Sequence, residues 1–179
     1  MGKMLYSVTM SADGFIAGPG GDMSWLSAHL APNPLADMLV SQIGALLIGG
    51  RTFRGDDPNK GTENEGAFGG KWVGPQIVLT HEPPEAPMPG VEFVDHLDLA
   101  ISKAKTAAGD RYVNILGADV ARQCLAAGEL DEILTFIAPV MLGDGVSLFE
   151  HPGGTSVGLE VIQHSQTPGA VGIWYRVLT

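Results

Sequence analysis

The stretch Leu97–Val140, LDLAISKAKTAAGDRYVNILGADVARQCLAAGELDEILTFIAPV, decides the fold class, because it reads as helix, strand, helix, strand. In its first part Leu97, Ala100, Ile101, Ala104 and Ala108 fall on one helical stripe. Asp95 and Asp98 sit at the start of that stripe, Lys103 and Lys105 in its second half, and Gly109 follows. Acids at the start, bases towards the end and a glycine stop predict a helix over Leu97–Ala108. Tyr112–Leu116 is a short apolar run and predicts a strand. Ala118–Ala127 predicts a second helix closed by Gly128, and Leu130–Val140 a long strand. Strands that alternate with helices in this way form a parallel sheet with helical crossovers.

The same alternation extends outward. Lys3–Met10 puts Met4, Tyr6, Val8 and Met10 on one side and Leu5, Ser7 and Thr9 on the other, which predicts a first strand. Glycines from Gly14 to Gly21 mark a long loop towards Trp25. Pro34 opens a helix whose apolar positions are Leu35, Met38, Leu39 and Ile43. Ala45–Gly49, Gln76–Thr80 and Val91–Val94 are short strand candidates, the first two buried on both faces. Arg54–Gly74, polar and glycine-rich, predicts a mobile surface loop. Val157–Gln163 and Val171–Leu178 alternate and predict a terminal hairpin. Residues 1–179 thus read as one α/β domain, its sheet mostly parallel with an antiparallel end.

Composition narrows the function classes. Apolar residues make up 45% of the chain and charged ones 17%, which excludes a disordered chain. Twenty acidic against ten basic residues give a net charge of −10, a field that repels nucleic acid and anionic membrane. No apolar run reaches the roughly 18 residues of a membrane span, and no signal-peptide pattern opens the chain. One cysteine, Cys124, excludes a disulfide framework and a multi-cysteine zinc site. A cytoplasmic protein is the expectation.

Few chemistries survive. Cys124 lies mid-helix beside Leu125, as a structural thiol does. The five histidines, His29, His81, His96, His151 and His164, show no paired ligand spacing, so no metal site is expected. Neither a nucleophile elbow nor a phosphate-cradling lysine loop occurs. What remains are strand ends with small or cationic residues: Gly49-Gly50-Arg51-Thr52, Thr80-His81 and Gly117-Ala118. Ligands of open α/β sheets bind at such carboxyl ends, where small residues let backbone approach a phosphate. Arg51 adds a charge suited to a phosphate ester. Each segment also reads as an ordinary turn; together they favour a dinucleotide or phosphorylated ligand.

Several motifs occur in one order along the chain: Ser11-Ala12-Asp13-Gly14-Phe15-Ile16-Ala17-Gly18, Gly20-Gly21-Asp22-Met23-Ser24-Trp25, Leu47-Ile48-Gly49-Gly50-Arg51-Thr52-Phe53, Val78-Leu79-Thr80 and Leu116-Gly117-Ala118-Asp119-Val120-Ala121. Ala126-Ala127-Gly128-Glu129-Leu130-Asp131-Glu132 then leads through Ala138-Pro139-Val140-Met141-Leu142-Gly143-Asp144-Gly145 to Leu148-Phe149. In these the chain resembles the dihydrofolate-reductase-like superfamily, and within it the C-terminal reductase domain of the bifunctional riboflavin-biosynthesis deaminase-reductase. The resemblance implies a three-layer fold around a mixed eight-stranded sheet. It also implies NADPH across the strand ends and a hydride passed to a small nitrogen heterocycle, as in 5-amino-6-(5-phosphoribosylamino)uracil reductase.

Carried over by motif, Ile16 and Ala17 lie against the nicotinamide, Arg51 and Thr52 meet the phosphates, and Thr80 and His81 the adenosine 2′-phosphate. Leu116, Gly117, Ala118 and Asp119 stand at the pyrophosphate. Here Leu116 replaces the family's first glycine, and Asp119 repels a pyrophosphate if it points inward. On the substrate side stand Asp13, Trp25 and Thr135, which read equally as a turn former, a core aromatic and a strand filler. Leu30, five residues after Trp25, is no acid where dihydrofolate reductases carry one, which disfavours folate. Asp37 is the nearest helical carboxylate and stands as proton source or exposed helix residue. Asp144 reads as a turn residue. Two readings stay open: a stand-alone reductase, and a binding domain that has lost hydride transfer. A homodimer is expected, as in relatives.

Overall fold

A computed structural model describes the chain except Met1, Ala31, Asp56–Pro58, Lys60, Asn64, His151, Thr155 and Thr179. Among the described residues ten strands form: β1 (Met4–Ser11), β2 (Phe15–Ala17), β3 (Ile43–Gly49), β4 (Gln76–Leu79), β5 (Val91–Val94), β6 (Tyr112–Leu116), β7 (Glu132–Ala138), β8 (Val146–Ser147), β9 (Gly158–Gln166) and β10 (Val171–Leu178). The helices are α1 (Pro34–Gln42), α2 (Gly50–Arg54), α3 (Leu97–Ala108) and α4 (Ala118–Ala126). Eight strands make one sheet in the order β5-β4-β3-β6-β1-β7-β10-β9, while β2 and β8 pair separately. Neighbours from β5 to β7 run parallel, and β10 is antiparallel to both β7 and β9. The mostly parallel sheet with an antiparallel end is the one the sequence predicts.

Alternation along the strands builds two cores. Met4, Tyr6, Ala45, Leu47, Val113 and Ile115 face α3 and α4. Leu5, Leu46, Ile48, Val78, Leu134 and Trp174 face α1, giving three layers in all. α3 docks through Ala100, Ala104 and Ala108, small enough for close approach. Gly44 completes that fit, since a Cβ there would stand 2.5 Å from the Ala108 carbonyl oxygen. α1 buries Leu35 and Leu39, worth about 2 kcal/mol each.

Several boundaries differ from the sequence reading. Ile43 continues the helical stripe yet begins β3, two residues before the expected Ala45, because no loop separates α1 from the strand. Gly50–Arg54 is a short helix, not a turn. β7 stops at Ala138, before Pro139, which lacks the N–H a longer strand needs. β9 runs on to Gln166, where Val171 of β10 pairs with it. In the Arg54–Gly74 segment, of which Asp56–Pro58, Lys60 and Asn64 lie outside the described residues, Ala67, Phe68 and Trp72 pack on the α1-side core. Trp72 Nε1 donates to the Ile43 carbonyl at 3.3 Å, which ties that segment to the sheet as cover.

At the amino end of the sheet Glu132 is 2% exposed and accepts three hydrogen bonds. Lys3 Nζ donates at 2.7 Å, the Tyr112 hydroxyl at 2.9 Å and Trp174 Nε1 at 2.8 Å. Burial, then Glu132, pushes the Tyr112 phenol well above its ordinary range.

Candidate active site

The carboxyl ends of β1, β3, β4, β6 and β7 open into a cleft of about 2220 Å³. Glycines set how closely these ends meet. A Cβ on Gly50 would stand 2.7 Å from Thr80 Oγ1, and one on Gly117 2.6 Å from Thr52 Oγ1. Gly117 also holds φ at 113°, a conformation that favours glycine. It precedes α4 without any side-chain cap, so the first N–H groups of that helix stay free to donate. Such a helix start, next to closely packed backbone, suits a phosphate.

Charge around it is sparse. Among the described residues the Arg51 guanidinium, exposed on α2, makes no hydrogen bond or ion pair. Asp119 is engaged along its own helix: its oxygens accept from Arg122 at 2.7 Å and Gln123 at 2.8 Å. Those bonds, Arg122 first, hold its carboxyl below the ordinary range, and the Arg51 charge adds to the effect. Its charge is thereby drawn towards Arg122 and away from the helix start. Arg54 donates to Thr80 Oγ1 at 3.3 Å and pairs with Glu82 at 3.5 Å, fastening the turn after β4.

Eleven of the sequence-derived site residues line this cleft: Ile16, Ala17, Asp37, Arg51, Thr52, Thr80, His81, Leu116, Gly117, Ala118 and Asp119. The substrate-side set, Asp13, Trp25 and Thr135, does not line it. Asp13 accepts the Ser11 hydroxyl at 2.5 Å and the N–H groups of Leu142 and Gly143 at 3.1 and 2.7 Å. Its carboxylate therefore staples two loops together. Trp25 lies in a short 3-10 turn, its ring 6.0 Å from that of His29. Thr135, 3% exposed, donates to the Ile173 carbonyl at 3.5 Å inside the sheet. Asp37 is 66% exposed and 3.9 Å from Lys71, a solvated carboxylate at the rim of the cleft. Asp144 accepts its own neighbour's N–H, that of Gly145, at 2.8 Å. The Cys124 thiol is buried, which pushes it up to about 12 and keeps it inert.

Several lining residues escaped the sequence reading, Asn33 and Phe136 among them. Asn33 caps α1, its Oδ1 accepting from Leu35 N–H at 3.0 Å, and Phe136 stands half-buried on β7. The Asn-Pro pair at the start of α1 signals a cap but not what else the amide does.

The cleft lies across the carboxyl ends of a three-layer α/β domain, framed by a glycine-bounded helix start and the unpaired Arg51. Residues 3–171 match the family model of the RibD C-terminal domain, and the chain belongs to that family. No curated protein matches it in sequence. Among solved structures, a Shewanella protein provisionally assigned to riboflavin biosynthesis superposes with a TM-score of 0.75 at 22% identity, covering 99% of both chains. The Thermotoga maritima deaminase and 5-amino-6-(5-phosphoribosylamino)uracil reductase gives 0.68 at 18% identity, covering 99% of this chain and 57% of its own. This chain thus spans little more than half of that bifunctional protein. The riboflavin biosynthesis reductase of Saccharomyces cerevisiae gives 0.64 at 17% identity, covering 99% and 90%.

Proposed function

We propose that the protein is an oxidoreductase that uses NADPH to reduce a small nitrogen heterocycle. One observation carries the reading: the uncapped start of α4 meets Gly117, Thr52, Gly50 and Thr80 in a glycine-framed cradle beside the unpaired Arg51. These residues fit a dinucleotide. Gly117 and Ala118 would hold the pyrophosphate, Arg51 and Thr52 its charge, and Thr80 and His81 the 2′-phosphate end. When bound, the cofactor supplies a hydride. The chain's own part is to align and partly dry the cleft with Ile16, Ala17 and Phe136. The proton that balances the hydride would come from Asp37 at the rim of the cleft or from solvent that reaches it there. The family and the reductases among its structural neighbours support this class of reaction.

The test follows the near-ultraviolet absorbance of NADPH while aminouracil and pteridine substrates are offered to the purified chain. Loss of absorbance that depends on the heterocycle supports the reading. Tight NADPH binding without turnover across the panel favours a binding domain that has lost hydride transfer, the reading the exposed Asp37 and Leu116 also allow.

A further inference from the structure

The start of α4 stands at the carboxyl end of β6, and from there the sheet runs on through β3 and β4 to β5. Neighbouring strands lie about 5 Å apart, so the ends of β4 and β5 are one and two such steps beyond Gly49. The apolar residues Ile16, Ala17 and Phe136 lie the other way, on β2 beside β1 and on β7. A dinucleotide with its pyrophosphate at Gly117 and its nicotinamide on those residues therefore carries its adenosine to the ends of β4 and β5.

At those ends Leu79 and Leu97, half-buried against the α3-side core, line the cleft with Thr80, His81 and Asp95. The pairing of Leu79 with Val94 is followed by a bond from Thr80 N–H to the Val94 carbonyl at 2.8 Å, so Thr80 and Asp95 leave the sheet side by side. The Asp95 side chain is 61% exposed and, among the described residues, accepts no hydrogen bond. The His96 imidazole, 3.7 Å away, cancels its charge only when protonated. No fixed cation among the described residues answers it. Arg54 is held by Glu82 at 3.5 Å and by Thr80 Oγ1, and Lys103 by Glu92 at 2.6 Å. Arg51 has no partner but lies towards α4, where its charge adds to that of Arg122 on Asp119. An open carboxylate at this place accepts a hydrogen bond from a ribose 2′-hydroxyl and repels a phosphate on the same oxygen.

We propose that Asp95 is a specificity residue that accepts the adenosine 2′-hydroxyl of NADH and narrows the preference for NADPH over NADH. This rests on the dinucleotide reading above and names the group that sets the choice between the two cofactors.

Asp95→Asn removes the charge and keeps the size and one oxygen acceptor. Glu85→Gln, at an exposed acid between β4 and β5, makes the same change of net charge elsewhere. Binding of NADPH, NADH, adenosine 2′,5′-bisphosphate and 5′-AMP to the wild type and both variants is measured by calorimetry. In Asp95→Asn, NADPH and the bisphosphate should bind about fivefold tighter while NADH and AMP hold or weaken, with an unchanged unfolding midpoint. The gain should shrink in about 0.5 M salt, and Glu85→Gln should alter neither ratio. The bisphosphate and AMP carry no hydride, so Asp95 is judged whether or not any heterocycle is reduced, and turnover is judged without Asp95. A ratio of NADPH to NADH affinity, or of bisphosphate to AMP affinity, that does not widen in Asp95→Asn overturns the proposal. So does an equal widening in Glu85→Gln, or a wild type that binds neither adenosine phosphate.

Discussion

The Asp13 carboxylate accepts the backbone N–H of Gly143 at 2.7 Å, joining the turn after β1 to a loop 130 positions later. The same side chain takes the Ser11 hydroxyl and Leu142 N–H. Ser11 in turn accepts Phe15 N–H at 2.9 Å, and a Cβ on Gly145 would stand 2.0 Å from the Ala17 carbonyl oxygen. The lip of the cleft at Ile16 and Ala17 is therefore set by a staple that itself stays outside the cleft.

This staple should titrate. The Ser11 hydroxyl first, then the two amides, hold the Asp13 carboxyl down to about 2 from an ordinary 3.8. A carboxyl lowered in the folded state adds stability that is full above the unfolded value and is lost as pH falls from about 4 towards about 2. Thermal unfolding followed across that window should show a component in wild type that is missing in Asp13→Asn. Identical pH profiles would remove the staple from the account.

Gly117→Ala should harm the fold and the proposed cofactor site together. The new Cβ would face Thr52 Oγ1 at 2.6 Å in a backbone conformation with φ at 113°. A loss of about 1–3 kcal/mol by denaturant titration is expected, with weaker NADPH binding in the fraction that stays folded. A neutral substitution would mean that the start of α4 is not strained as described.

Glu132→Ala should be the costliest of these changes, at about 3 kcal/mol, because it strands the Tyr112 hydroxyl and Trp174 Nε1 in a buried site. Lys3, with its side chain 52% exposed, finds water and adds little. Chemical denaturation monitored by tryptophan fluorescence checks this, and NADPH affinity should stay unchanged, since the cluster lies at the opposite end of the sheet.

We also propose a second copy of the chain on β9. Leu159, Val161 and Ile162 are 45%, 57% and 43% exposed on this edge strand. Its acid, Glu160, is paired with Arg176, so the surface is close to neutral on a chain of net charge −10 and two copies can meet without repulsion. Light scattering should give twice the 18.7 kDa chain mass, and Val161→Lys the single mass. A wild-type monomer would contradict it.

Long periodic segments were legible in the sequence. α3 over Leu97–Ala108 and the parallel core strands carry their own pattern, and the glycine-rich strand ends do fall together in the cleft. What periodicity cannot carry was missed. β2 and β8 have three and two residues, too few to show alternation. Trp72 covers the sheet from within a polar segment through long-range contacts that no local pattern records. Asp13 reads as turn former or ligand from its neighbours in sequence, and its bonds to Leu142 and Gly143 link segments too far apart for any local pattern to record. Asn33 caps α1 and also binds Ser165, 132 positions away.

The most direct test is calorimetric titration of the wild-type chain and Arg51→Ala with NADPH and NADH. Because Arg51 makes no bond within the described fold, its loss should leave the unfolding midpoint unchanged while NADPH binding weakens by about tenfold or more. Saturable NADPH binding that prefers the phosphorylated cofactor and weakens in Arg51→Ala is the predicted result. A folded wild-type chain that gives no heat with either cofactor, or an Arg51→Ala variant that binds NADPH as tightly, would contradict a nucleotide site at the start of α4.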